Sequence, residues 1–234
     1  MKSSYLILIC TNLLLMGTLN FEQKHIPSSK IWHFDTLNEW TDASQKTDGK
    51  RHYKLLNNAL LQLYTNPNTE ERSKIKSTDK FNLGSFTWRL YVPELGKGDN
   101  SSIGAFLFHD DQHELDFEIG YGTKTVRKEL KAKEDDVVVY MSSQGFPSIC
   151  KKIVVKRAQW YEVTIELKKG KNNNTIAYWK INHELKFKTQ LQYGESIYYK
   201  LYCSMENLSF MGDHLPKKLN YALFDYVKFD KPTE

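Results

Sequence analysis

Cysteine is scarce in this chain: 234 residues contain three, and Cys10 sits in the N-terminal apolar run, leaving Cys150 and Cys203 beyond it. That pair permits one disulfide at most, with two separate buried thiols as the alternative. No His and Cys residues have the ligand spacing of a zinc or iron site. Long hydrophobic stretches are missing too, apart from Tyr5 to Met16, which is interrupted by Thr11-Asn12 and too short to span a bilayer. With Lys2 before it and Gly17-Thr18 after it, this run has the form of a secretory leader. The expected division is a leader over residues 1–20, cut near Gly17 to Asn20, a short linker over 21–30 and one domain over 31–234. A secreted, periplasmic or cell-surface location follows from it. Lipidation at Cys10 is disfavoured, because Ile9 stands where a lipoprotein signal wants a small residue. Excess charge is small, +5 at neutral pH. Lys151-Lys152, Lys156-Arg157, Lys168-Lys169 and Lys171 read as protection of sheet edges. No nucleic-acid module and no aromatic-basic motif is present. Internal repeats, domain linkers and convincing long helices are absent as well.

What the chain does have is aromatic surface, with 14 Tyr, 12 Phe and 5 Trp. Aromatic residues favour strands and also supply the flat faces on which sugar rings stack. From Ile31 onward, short strand-like runs alternate with turn residues. They include Lys74 to Thr78, Ser85 to Val92, Ile103 to Phe108, Thr125 to Lys131, Val137 to Ser142, Trp160 to Leu167, Tyr198 to Cys203 and Leu223 to Phe229. His52 to Thr65 fits either a helix or two strands turning at Asn57-Asn58. Strands at this spacing predict an all-β sandwich or barrel.

The most informative stretch is His113-Glu114-Leu115-Asp116-Phe117-Glu118-Ile119-Gly120. Strict alternation predicts one strand with Glu114, Asp116 and Glu118 on one face and Leu115, Phe117 and Ile119 on the other. Three carboxylates side by side repel one another, which a purely structural strand has no reason to tolerate. Like charges raise one another's pKa, so one group should keep its proton while a neighbour stays ionised. An acid beside an ionised carboxylate is the equipment for cleaving a glycosidic bond. The plainer alternatives are an acidic solvent-facing strand or a site for a hard cation. Four residues along a strand put the Cα atoms of Glu114 and Glu118 roughly 13 Å apart, which leaves open whether the chemistry would retain or invert configuration.

Glu114-Leu115-Asp116-Phe117-Glu118 resembles the E-x-D-x-E motif of glycoside hydrolase family 16, the jelly-roll enzymes that include laminarinases and lichenases. The flanks agree in order: Lys80-Phe81-Asn82-Leu83-Gly84-Ser85-Phe86-Thr87-Trp88-Arg89 resembles a strand-turn-strand of that family, and Ala222-Leu223-Phe224-Asp225-Tyr226-Val227 its closing strand. The resemblance implies a concanavalin A-like β-sandwich jelly roll whose concave sheet is crossed by an open cleft. It also implies Glu114 as nucleophile, Glu118 as general acid/base and Asp116 as the carboxylate that tunes them. The family's usual Trp-Pro and second Trp ahead of the motif are replaced by Ser102-Ile103-Gly104-Ala105-Phe106-Leu107-Phe108. Phe106 or Phe108 could serve instead, although core packing is the simpler role for each.

Phe108, His109, His113, Tyr121, Tyr140 and Gln144 are the candidate substrate contacts, with a structural hydrogen-bonding role as the simpler reading of each histidine. Arg89 lies in a strand that could face either side. The resemblance further implies no required cofactor, and a structural Ca²⁺ for which Asp225 and His33 to Asp35 are the candidates. The expected partner is a polysaccharide or oligosaccharide, with no nucleic acid, no membrane span and a monomeric state. Two other functions fit less well: a jelly roll that binds carbohydrate without cutting it, and a polysaccharide lyase, which an acidic triad opposes electrostatically.

Overall fold

The computed structural model describes residues 28–57 and 59–232; the expected leader lies outside them. Strands β1 (Ser29–Trp32), β2 (Trp40–Asp42), β3 (Tyr53–Leu56), β4 (Leu60–Thr65), β5 (Arg72–Ser77) and β6 (Gly84–Val92) come first. Next are β7 (Ser101–Asp110), β8 (His113–Gly120), a short helix α1 (Lys124–Glu129), β9 (Asp136–Gly145) and β10 (Ile149–Lys156). The chain closes with β11 (Gln159–Lys169), β12 (Asn174–Ile181), β13 (Glu184–Gly194), β14 (Lys200–Asn207) and β15 (Asn220–Asp230). Because β1 begins at Ser29, the last residues of the expected linker belong to the sandwich.

Two antiparallel sheets face each other. One runs β13-β12-β11-β6-β15-β4-β3, with β1 also on β15; the other runs β10-β9-β8-β7-β14-β5-β2. Alternation along each strand drives one row of side chains between the sheets. From β8 these are Leu115, Phe117 and Ile119, which meet Trp88, Leu90, Ile165 and Trp179 from the other sheet in one buried cluster. Trp179 crosses the core and donates its indole N–H to the Asp116 carbonyl at 2.9 Å, which satisfies a donor that burial would otherwise strand.

Two local readings are settled by tertiary packing. His52 to Thr65 is a hairpin rather than a helix, turning where Asn57 takes a positive φ of 48°, a conformation Asn tolerates. Thr125 to Lys131, expected as strand, is instead largely helical. The Thr123 hydroxyl caps α1 by accepting from the Val126 N–H at 3.3 Å. Val126 and Leu130, four residues apart and so on one helical face, pack against Val138, Tyr140, Leu208 and Met211. Arg127 then ties the turn down by donating to the carbonyls of Tyr121 and Asp136, both at 2.7 Å.

Of the two readings of the cysteine pair, separate thiols hold rather than a disulfide, with Cys150 exposed instead of buried. Cys150 and Cys203 are both free thiols, because strand parity sends them to opposite sides of the same sheet: Cys203 pairs in register with core-facing Ala105, Cys150 with outward-facing Ser142. Cys203 is fully buried. Alkylation of the native protein followed by peptide mapping should therefore modify Cys150 while sparing Cys203 until denaturant is added. Replacing Phe117 with Ala should cost about 3–5 kcal/mol in denaturant unfolding.

Candidate active site

The outward face of the seven-stranded sheet carries a groove of about 960 Å³. Its floor is built in cross-strand rows. The middle row reads Cys150, Ser142, Asp116, Phe106, Tyr202 and Lys76 across β10, β9, β8, β7, β14 and β5. On one side of it lie Gln144, Glu114, Phe108 and Lys200; on the other, Lys152, Tyr140, Glu118, Gly104, Ser204 and Lys74. All three carboxyls of β8 thus line the groove, hydrogen-bonded strands on both sides holding them in place.

Asp116 is the most enclosed of the three, at 1% exposure. Its Oδ2 accepts from the Ser142 hydroxyl at 2.9 Å and from the Gln144 amide at 3.2 Å. Its Oδ1 has no partner of regular geometry, and the neighbouring acid with which Asp116 interacts is Glu114, acting as the protonated partner. Burial pushes the Asp116 carboxyl up to about 6, against the pull of its Gln144, Ser142 and Glu114 hydrogen bonds. Glu114 is also pushed well up, first by burial and then by the charges of Asp116 and Glu118. Glu118 is raised by burial, by Glu206 and by Asp116, while the Ser102 hydroxyl donates to its Oε2. Gly104 pairs with Glu118, and a Cβ there would clash with Ser204 Oγ at 2.3 Å and crowd Glu118 Oε1 at 3.1 Å, so the missing side chain makes room for the Ser204 hydroxyl and eases the carboxyl.

Among the other expected contacts, Phe108, Tyr140 and Gln144 line the groove. Phe106 does too: residues 106 and 108 share a face, so neither is in the core as expected, and Phe106 is buried by stacking on Tyr202 with centroids 4.6 Å apart. His109 and His113 stand at the hairpin end of β7 and β8, outside the groove. His109 Nδ1 donates to the Tyr198 carbonyl at 2.9 Å, and His113 Nδ1 lies 2.7 Å from Asp110 while its ring packs edge-on against Tyr193. Tyr121 is absent from the groove, lying under the Arg127 guanidinium in a separate hollow. Arg89 faces outward on the opposite sheet, and Asp225 is engaged there by Arg89 at 3.0 Å, which supplies the charge a cation would bring. Among the described residues the group of three able to hold an ion is Asp48, His52 and Glu71, away from the groove.

Tyr202, Glu206 and Phe210 are among the groove residues that escaped the sequence-based expectation. Tyr202 and Glu206 alternate with buried Leu201, Cys203 and Met205, a period-two signal legible beforehand. Phe210, 51% exposed and edge-on to Tyr140 at 5.7 Å, follows β14 in irregular chain and had no such signal.

These carboxyls bear on stability. A folded pKa above the ordinary value means that the native state holds the proton more tightly, so its contribution is full below the ordinary carboxylate range and lost as pH rises through the raised value. For Asp116 that window runs from about pH 4 to about 6, and for the two glutamates it extends higher. Glu118→Gln should therefore raise the unfolding midpoint at neutral and alkaline pH, with the gain over wild type shrinking toward pH 4. A midpoint difference that is flat with pH would contradict the desolvated state of this group.

No protein-family model and no curated protein matches the chain by sequence. Its fold does match solved structures. The Bacillus licheniformis β-glucanase is 13% identical, covers 89% of this chain and 100% of its own, and superposes with a TM-score of 0.62. A Crh5 transglycosylase in complex with NAG, also 13% identical, gives 0.64 over 88% of this chain and 85% of its own. The laminarinase catalytic domain from Thermotoga maritima MSB8, 11% identical, gives 0.61 over 88% and 98%. At such identities the likeness is one of fold. The chain is thus an all-β jelly-roll sandwich of the same architecture as that β-glucanase and that laminarinase, with the Glu-x-Asp-x-Glu strand lining its groove.

Proposed function

We propose that this chain is an exported glycoside hydrolase that cleaves β-linked polysaccharide with retention of configuration. The observation that carries the proposal is the carboxylate row itself: two glutamates lining an open groove on either side of a buried aspartate. The β-glucanase and laminarinase that share the fold add support.

The proton inventory suits a double displacement. Glu118, raised by burial and by the neighbouring Glu206 charge, enters the reaction as an acid. As positive charge develops at the anomeric carbon, the proton shared by Glu114 and Asp116 settles on Asp116, whose own raised pKa equips it to hold one. A Glu114 oxygen then bonds to the anomeric carbon while the glycosidic C–O bond breaks and its oxygen takes the Glu118 proton. In the second half, Glu118, now a carboxylate, removes a proton from water, which displaces Glu114 and regenerates both groups. None of these steps calls on a metal or an organic cofactor.

Substrate binding falls to the groove walls. Phe108, Tyr202 and Phe210 offer ring faces or edges to sugars. Tyr140 lies across the strand pair from Glu118 and lines the groove beside it, with its hydroxyl buried.

On a panel of β-glucans and galactans, Glu114→Gln and Glu118→Gln should each lower the rate of reducing-end release by at least about 10²-fold without lowering the unfolding midpoint. A variant that keeps the wild-type rate removes that residue from its role. Proton NMR of the first product should show the β-anomer; an initial α-anomer would replace retention by inversion. Binding without new reducing ends would assign the chain to the carbohydrate-binding jelly rolls instead.

A further inference from the structure

The two sides of the groove differ in charge. On the far side from β10, β5 sends Arg72, Lys74 and Lys76 into the groove, alternating with Ser73, Ile75 and Ser77. β5 lies between β14 and β2, so these cations do not guard a free sheet edge. Two of them share one carboxylate: Glu206 Oε2 is 3.3 Å from Lys74 Nζ and 3.8 Å from Arg72 Nε.

Lys76 has no such partner. It sits beside Tyr202 in the cross-strand row, and no ion pair involves it among the described residues. Lys200 is the next outward position on β14 and pairs in register with Phe108. Lys80, in the turn after β5, is held close by because Phe81 exchanges backbone hydrogen bonds with Tyr199. Neither Lys200 nor Lys80 has a carboxylate partner among the described residues. The three are near enough for their charges to be felt: the Lys200 ammonium is pushed below its usual value by burial and then by Lys76 and Lys80. Crowding like charges on an interior part of a sheet is unfavourable unless an anion relieves it. Glu206 is already committed to Arg72 and Lys74, and Glu114, the β8 partner of Phe108, retains its proton.

We propose that Lys76, Lys200 and Lys80 form a subsite for an anionic substituent, a sulfate ester or a carboxylate, on a glycan lying across Tyr202 and Phe108. The subsite rests on the reading of the groove as a glycan cleft. Three strand spacings, about 14 Å, separate the Lys76 and Asp116 positions, so the anion belongs to a sugar other than the one whose bond is broken. The chain would then act on an acidic polysaccharide rather than a neutral one.

The test uses the Glu118→Gln protein, in which binding is not confused with turnover, and titrates it calorimetrically with matched neutral, sulfated and uronate-bearing β-linked oligosaccharides. One or both charged ligands should bind more tightly than the neutral one, with a preference that fades as salt is raised, and the tighter of the two identifies the anion. Adding Lys76→Ala or Lys200→Ala should weaken that binding about tenfold, and Lys76→Arg should restore most of it. Equal affinity for neutral and charged ligands, an undiminished preference in both alanine variants, or binding of none of the three would overturn the subsite. Reducing-end release by the wild-type protein is scored separately: charged ligands that bind but are never cleaved would remove the hydrolase reading and leave the anion site standing.

Discussion

Desolvation of three carboxyls on one face of β8 is the constraint on which the rest of the groove depends. A strand so loaded is tolerable only where its other face gains enough to compensate, and here Leu115, Phe117 and Ile119 are essentially fully buried between the sheets. Burial of each such side chain contributes roughly 1.5–3 kcal/mol. The same alternation therefore produces the stabilising face and the destabilising one, and neither can be moved without the other. A one-residue slip of register would exchange them, and pairing to β7 on one side and β9 on the other prevents that slip.

The neighbours of β8 determine what each carboxyl does. Asp116 receives two donors from β9 on a single oxygen, and its other oxygen is buried without a partner of regular geometry. Glu118 sits over Gly104, beside Ser102 and within the field of Glu206. Two chemically identical side chains four positions apart on one strand thereby acquire different surroundings, the arrangement by which an acid and a nucleophile are told apart. The walls continue this asymmetry, with Tyr140 and Lys152 toward β10 and the Phe106–Tyr202 stack and Lys76 toward β5.

Local sequence was a good guide wherever one face of a strand is buried, and a poor one elsewhere. The carboxylate strand was legible to the residue because alternation acts over a few residues, whereas His52 to Thr65 stayed open between a helix and a hairpin, its leucine spacing suiting the first and Asn57-Asn58 the second. The α1 segment was misread because Thr125 and Val126 favour strands locally; the helix forms through the Thr123 cap and through an apolar patch supplied by β9 and the chain after β14. Core packing was the simpler role for both Phe106 and Phe108, yet the two share parity and line the groove, and the ring of Tyr202 that buries Phe106 comes from nearly a hundred residues away in sequence.

The sequence by itself determined the fold class and the face-sharing of Glu114, Asp116 and Glu118, because each follows from periodicity or composition within a short window. Tertiary structure alone decided that His109, His113 and Tyr121 stand away from the groove, that Cys150 and Cys203 face opposite ways, and that Tyr202, Glu206, Phe210 and the lysines of β5 converge on the carboxylates. Those placements depend on which strands become neighbours and in what register. That is a matter of long-range pairing, which no local pattern records.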